Sequence, residues 1–568
     1  NVVKLAQGGT AVASLVGAQR VATDTADPLE RRLRNVVEEM AIASGVRVPE
    51  VYVMDAESGI NAFAAGWDVS GAMVAVTRGT LERLTRDELQ GVVAHEFSHI
   101  LNGDMRLNVR MIGVLAGIVA LGSIAEFMMR GAAEADDIRA SVPLFLAGGA
   151  LFIIGYVGLF FARLIKAAVS REREFLADAS SVQFTRNPDG IAGALDQIGA
   201  SGAGTLIHAR YAEEMSHMFF GQSIRMRFAS LFDTHPPLEE RIRRAHPRFI
   251  REDYRKRREV GLAANPMTPE PSQPVPPAGR RAADLGTAWG RTAMESALLV
   301  GTVDAAKVDY AARLLGSLPA ALRDSLKEPE GACAALLSLL LAPKREVMQQ
   351  QLDAMAAVGL GELAQRAAAA AAFTRSLSPA FHLPVIDLAL PAVKAAPEEA
   401  KRKVLSGVEA VINADRRVSL HEFVVLTLVR HQLAPAQKAA GGRKIESLKQ
   451  ETAVAIALVA HAGTRIDAAG PRAAALKRAM SAGADAVGLA TLPQHEALSL
   501  EQAASALAAL KSLAPFEKAR LIKGLFAAVT ADGVIRVGEA ELMRLVGAVL
   551  DCPLPPLLDE IDPAALAA

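Results

Sequence analysis

Apolar and polar positions recur with different periods along this chain, and each period predicts a different kind of element. From Asp27 to Ala43, the residues Leu29, Leu33, Val36, Val37 and Met40 fall on one face of a helix. Val51–Met54, Ile60–Ala65 and Ala72–Thr77 are short runs that read as β-strands. Helical spacing returns at Leu89, Val92, Val93 and Phe97. It follows Thr85-Arg86-Asp87-Glu88, where a threonine three residues ahead of a glutamate predicts a capping box.

Two longer stretches lose periodicity because almost everything in them is apolar. Met111–Ala125 is uncharged, and the 23 residues between Arg139 and Arg163 carry no charge, with Leu144–Ala162 rich in Leu, Phe, Ile and Gly. The second is long enough to span a bilayer and the first nearly so; the competing reading is a buried helical hairpin. Charge bias favours the membrane. Arg106 and Arg110 precede the pair, and Arg163, Lys166, Arg171 and Arg173 follow it. The loop between holds Arg130 and Arg139 against Glu126, Glu134, Asp136 and Asp137. By the positive-inside rule both outer flanks are cytoplasmic.

A proline-rich segment over 262–281 then reads as an extended linker, and the Ala- and Leu-rich residues after it read as helical throughout. A faint repeat spaced by 117 residues aligns Ala414-Asp415-Arg416-Arg417-Val418-Ser419 with Ala531-Asp532-Gly533-Val534-Ile535-Arg536, each followed by an acidic residue, Glu422 or Glu539. Its acidic residues read as helix caps; a local similarity to TerB-like helical pairs implies a metal-binding acidic cluster instead.

The predicted organisation is therefore α+β. Residues 1–106 hold the sheet and the helix behind Thr85, 107–166 a transmembrane helical hairpin, and 167–261 the rest of that domain. The linker is 262–281, and 282–568 form an all-α domain. At 568 residues the chain exceeds a single core. Its 62 basic and 62 acidic residues balance, so no global field points to nucleic acid as a partner. Only two cysteines, Cys333 and Cys552, are present, which fits a reducing compartment better than a secreted fold. No signal-peptide pattern is seen, and Asn1 is not an initiator, so a fragment or processed form is expected.

The chemistry concentrates in His95-Glu96-Phe97-Ser98-His99. Four residues apart on a helix, the two imidazoles share a face and can reach one metal ion. Glu96 can lie beside a metal-bound water as general base. A third ligand must come from the same side of the membrane, and Glu174, directly after the second span, is the candidate. Asp178, one turn on, can accept a hydrogen bond from a ligand histidine.

These residues resemble the HtpX-like membrane zinc metallopeptidases, which pair a His-Glu-x-x-His helix with a later Glu-x-x-x-Asp helix across membrane segments. Asn61-Ala62-Phe63-Ala64-Ala65-Gly66 is similar to that family's substrate-binding edge strand, and Val92–Asp104 to its active helix. Thr234-His235-Pro236-Pro237-Leu238-Glu239-Glu240-Arg241 is similar to a downstream motif. The resemblance covers about residues 30–250. It implies a zincin-type domain holding one zinc ion on His95, His99 and Glu174, with Glu96 as base and Asn61, Ala62 and Phe63 along the substrate. It also implies a bacterial inner-membrane peptidase, facing the cytoplasm, that cleaves misfolded or membrane proteins. Membrane helices near the N-terminus of such enzymes have no counterpart between Asn1 and Arg106.

Three further readings complete the expectation. His235 lies where a helix begins and is expected to stabilise the oxyanion, with a structural hydrogen bond as the alternative. His217 is a weaker candidate, and Arg241, Arg243 and Arg244 read as surface charge or lipid-headgroup contacts. The helical second half, weakly TerB-like around its repeat, is expected to bind a protein partner. The alternative to a peptidase is a membrane scaffold with a structural or vestigial zinc site, against which the intact Glu96 speaks.

Overall fold

The computed structural model describes residues 9–66, 68–69, 71–134, 138–201, 219–220, 235–264, 286–375, 377–414, 420–433, 442–463, 469–489 and 500–558. It divides into two units, one of Asn1–Val21, Asp27–Val36 and Glu50–Met267, the other of Ala22–Ala26, Val37–Pro49 and Thr268–Ala568.

In chain order, α1 (Gly9–Leu15) and β1 (Gln19–Arg20) precede α2 (Pro28–Ser44), which buries Leu33, Val36, Val37 and Met40 as its spacing predicts. Strands β2 (Glu50–Met54), β3 (Ala62–Ala65) and β4 (Met73–Thr77) follow. They form a mixed sheet of order β1-β2-β4-β3, in which β2 and β4 run parallel and β3 runs antiparallel to β4 at one edge. The second run, Ile60–Ala65, enters the strand only at Ala62, because Asn61 is held in the segment ahead of it. There the Asn61 amide donates to Thr77 Oγ1 and Thr80 Oγ1, at 3.0 and 2.9 Å.

After α3 (Arg78–Arg83) comes α4 (Arg86–Asn102), with the predicted capping box between Thr85 and Glu88 formed in both directions. It ends at Gly103, whose φ of 70° is the left-handed conformation that glycine adopts without penalty. Helix α5 (Asp104–Glu134) and α6 (Ile138–Thr185) carry the two apolar stretches and pack against one another. Helix α7 (Pro188–Ala200) packs on α4, and α8 (Leu238–Ala245) and α9 (Arg251–Ala264) complete the unit.

The expectation of two membrane-spanning helices is met only in part. Both stretches are helical, yet among the described residues no helix is long and apolar enough to cross a membrane.

The second unit is mostly helical, with one correction to the all-α expectation: Gly286–Ala288 (β5) pairs antiparallel with Val534–Arg536 (β6). The β-branched pair Val534-Ile535 directly after the Asp532-Gly533 turn favours a strand there. Trp289 stacks on Phe526 beside it at 6.0 Å. In this copy of the repeat the acids are local struts: Asp532 accepts from the Val534 amide, and Arg536 bonds both Asp532 and Glu539. Asp415–Ser419 of the other copy, His217 and most of the proline-rich linker lie outside the described residues. Cys333 and Cys552 are both free thiols and buried.

Candidate metal centre

Helix α4 presents His95 and His99 on one face, and α6 brings Glu174 opposite them. His95 Nε2 and His99 Nε2 stand 3.1 Å apart, and the Glu174 oxygens lie 3.7 and 3.5 Å from them. One ligand atom from each of the three residues falls within 4.8 Å of the others.

What aims the two Nε2 atoms is a carboxylate behind each ring. His95 Nδ1 is 2.9 Å from Asp178 Oδ1, and His99 Nδ1 is 2.8 Å from Asp104 Oδ2. A carboxylate only accepts, so each Nδ1 donates to it and the two Nε2 atoms are left facing one another, where a bound cation would satisfy both. Both oxygens of Glu96 are buried without a hydrogen-bond partner, as are few other side-chain atoms in the unit. The donor set of two imidazoles and one carboxylate suits a catalytic zinc ion. The residues fit the group.

The electrostatics follow from burial and from one arginine. Burial pushes the Glu96 carboxyl up to about 7, with the Glu174 charge adding to the effect and His99 opposing it. Burial alone would raise Glu174 as well, but His235 and Arg241 outweigh it and hold that carboxyl well below its usual range. Burial opposes the charge of Asp178 too, and Arg241 overrides it. His95 is lowered by burial, which keeps the imidazole neutral and available as a ligand.

Arg241 corrects the sequence reading most sharply. It was expected on the surface with Arg243 and Arg244, and it is 0% exposed. Helix α8 buries Arg241, Ile242 and Ala245, turning that stripe inward while Arg243 and Arg244 stay outside. Arg244 lies over the Phe175 ring at 3.6 Å.

The other expected residues are placed as follows. His235 is buried, with Nδ1 3.2 Å from Glu174 Oε2. Asn61 is fully buried in the turn ahead of β3, and its Oδ1 accepts from the Ala62 amide at 3.0 Å. Ala62 and Phe63 are on the edge strand, which packs against α4. The Phe220 amide donates to the Ala62 carbonyl at 2.7 Å, and the Phe220 ring meets His95 edge-on at 4.8 Å. Sequence reasoning missed Asp104 and Phe220. The first had a local signal, an acid just past a glycine that ends the helix; the second had none.

Residues 28–248 match Peptidase family M48. A protease HtpX homolog of Thermoanaerobacter pseudethanolicus is 40% identical over 219 residues, 37% of this chain and 70% of that protein. The protease HtpX homologs of Dictyoglomus thermophilum and Tropheryma whipplei strain TW08/27 are 38% and 39% identical, and the alignments cover 67% and 71% of those proteins and 37% and 38% of this chain. No solved structure matches.

Proposed function

The chain belongs to peptidase family M48, as a homologue of the HtpX proteases, and on that premise we propose that it is a membrane-anchored zinc endopeptidase acting on membrane or misfolded proteins. One observation carries the reading: His95, His99 and Glu174 each offer a ligand atom within 4.8 Å of the others, and the buried Glu96 follows His95 on the same helix.

In this reading His95, His99 and Glu174 hold one zinc ion, which when bound supplies Lewis acidity to a water and to the scissile carbonyl. Glu96 takes a proton from the attacking water and hands it to the leaving amine. Its raised pKa, about 7, suits a group that must do both near neutral pH. His235, beside Glu174 Oε2, would donate to the oxyanion or hold Glu174 in place. Strand β3 is an edge strand whose Ala62 carbonyl already accepts from the Phe220 amide, so a substrate would add along the rest of it by main-chain hydrogen bonds. The buried Asn61 would shape that edge through its turn.

Membrane attachment is proposed from the hairpin. Phe127, Leu146, Ile153 and Ile154 are 77%, 65%, 64% and 65% exposed, all on α5 and α6. A group of exposed apolar side chains on one hairpin marks an interaction surface, and a bilayer is the partner proposed for it. By the positive-inside rule the flanking arginines support a metal centre on the cytoplasmic side of a bacterial inner membrane. The residues from Thr268 on lie outside the matched residues 28–248 and are assigned to meeting an adaptor or the substrate.

The test is proteolysis of an unfolded model substrate by detergent-purified protein, native against Glu96→Gln at matched zinc content. Cleavage by the native form, falling by about 10²–10⁴-fold in the variant, supports the peptidase and its base. Two zinc-loaded proteins that both fail to cleave would favour the scaffold instead.

A further inference from the structure

A buried guanidinium is costly unless each of its donors finds an acceptor, so the partners of Arg241 show what it is for. Nε donates to Asp178 Oδ2 at 2.8 Å and Nη2 to Asp178 Oδ1 at 2.7 Å, a two-pronged grip on one carboxylate. Nη1 donates to the Phe220 carbonyl at 2.7 Å and lies 3.3 Å from Glu174 Oε2. The guanidinium also sits over the Phe220 ring at 4.6 Å.

Each contact leads to the metal centre by one step. The Asp178 Oδ1 that Nη2 grips is the atom bonded to His95 Nδ1. The Glu174 oxygen beside Nη1 is the one facing His95 and His235. The Phe220 ring it faces packs edge-on against the His95 imidazole. One cation thus touches the support of one ligand, a second ligand directly, and the ring that flanks the first.

We propose that Arg241 is a positioning residue of the metal centre, fixing the His95 imidazole through Asp178 and the Glu174 carboxylate by direct contact. The inference rests on the metal reading above and adds to it the element that holds two of the three ligands in register. A buried ion pair is a weak device for stability, since apolar side chains of like volume serve as well. It is a strong device for orientation, because the planar fork sets the plane of the Asp178 carboxylate.

The experiment measures zinc affinity by chelator competition, and the absorption bands of the cobalt-substituted protein, in the full-length native chain, Arg241→Met, Arg241→Lys and Asp178→Asn. The native protein should bind one zinc ion, and Arg241→Met should bind it about 10–100-fold more weakly with altered cobalt bands. Arg241→Lys should fall between, because an ammonium keeps the charge and loses the fork. Adding Asp178→Asn to Arg241→Met should cost much less than the two single losses combined, since both act through one contact. Folded variants that bind zinc within about twofold of native, by the same titration, would overturn the proposal. If Arg241→Met does not fold, Arg241→Lys decides. If neither folds while Asp178→Asn does, the residue serves the fold and the proposal fails. A native chain that binds no zinc would instead sink the metal reading beneath it.

Discussion

Asp104 accepts the Nδ1 proton of His99 at 2.8 Å although the helix that carries His99 has already ended. Gly103 turns the chain so that residue 104 opens the next helix with its carboxylate against the last turn of the previous one. Arg173, from α6, pairs with the same carboxylate. Truncation by Asp104→Ala should therefore free the His99 ring to rotate and weaken zinc binding by about 10–100-fold. Chelator competition on the purified variant measures this. An unchanged affinity would mean that His99 is oriented by packing alone.

Gly91, one turn ahead of His95, marks the closest approach of α4 to α7. A methyl group there would come within 2.6 Å of the Ile191 amide nitrogen and 2.8 Å of the Gly190 carbonyl carbon. Both obstacles are backbone, so no side chain can swing aside. The Gly91 carbonyl also accepts from the Ser181 hydroxyl at 2.7 Å, tying α4 to α6 just beyond Asp178. Gly91→Ala should destabilise the domain by about 1–3 kcal/mol. Thermal unfolding of the zinc-loaded variant checks it, and a native midpoint would show that the helices part at no cost.

What could be read from the sequence follows from distance along the chain. The capping box of Thr85 and Glu88, the shared face of His95 and His99, and the pairing of Glu174 with Asp178 are all relationships within four residues, which helical geometry dictates. Arg241 was misread because four other charged residues crowd the eight-residue α8. Its place in the inward stripe with Ile242 and Ala245 shows only once Asp178 is known to stand opposite. The setting of Asn61 was not legible either, because its backbone is held by Thr77 and Thr80, more than fifteen residues on. The contact of Phe220 with Ala62 spans more than 150 residues, and no periodicity encodes it.

The exposed hairpin makes its own prediction. Ile153 and Ile154 are 64% and 65% exposed in the middle of α6, so in a bilayer they would face acyl chains. A lysine at such a position costs about 2.5–3.5 kcal/mol of insertion. The double variant Ile153→Lys with Ile154→Lys should pass from the membrane fraction to the soluble or aggregated fraction, while the native chain floats with lipid vesicles in a density gradient. Equal flotation of both would remove the hairpin as the anchor.

The last prediction concerns Glu96 in the metal-free protein. Burial pushes its carboxyl up from 4.5 to about 7, so between those values the folded state holds a proton that the unfolded chain has released. Stability is then undiminished below about pH 4.5 and falls as pH rises through 7, since the folded state must either keep a costly proton or bury a charge. Integrated over that range the loss is about 3 kcal/mol. Glu96→Gln has no such proton to lose. Denaturant midpoints of the metal-free native and variant proteins at pH 5 and pH 8 should show the variant gaining on the native chain by about that amount. A gap independent of pH would mean that Glu96 ionises at its ordinary value. Loading with zinc should flatten the difference, because a divalent cation beside the carboxylate favours its charged form.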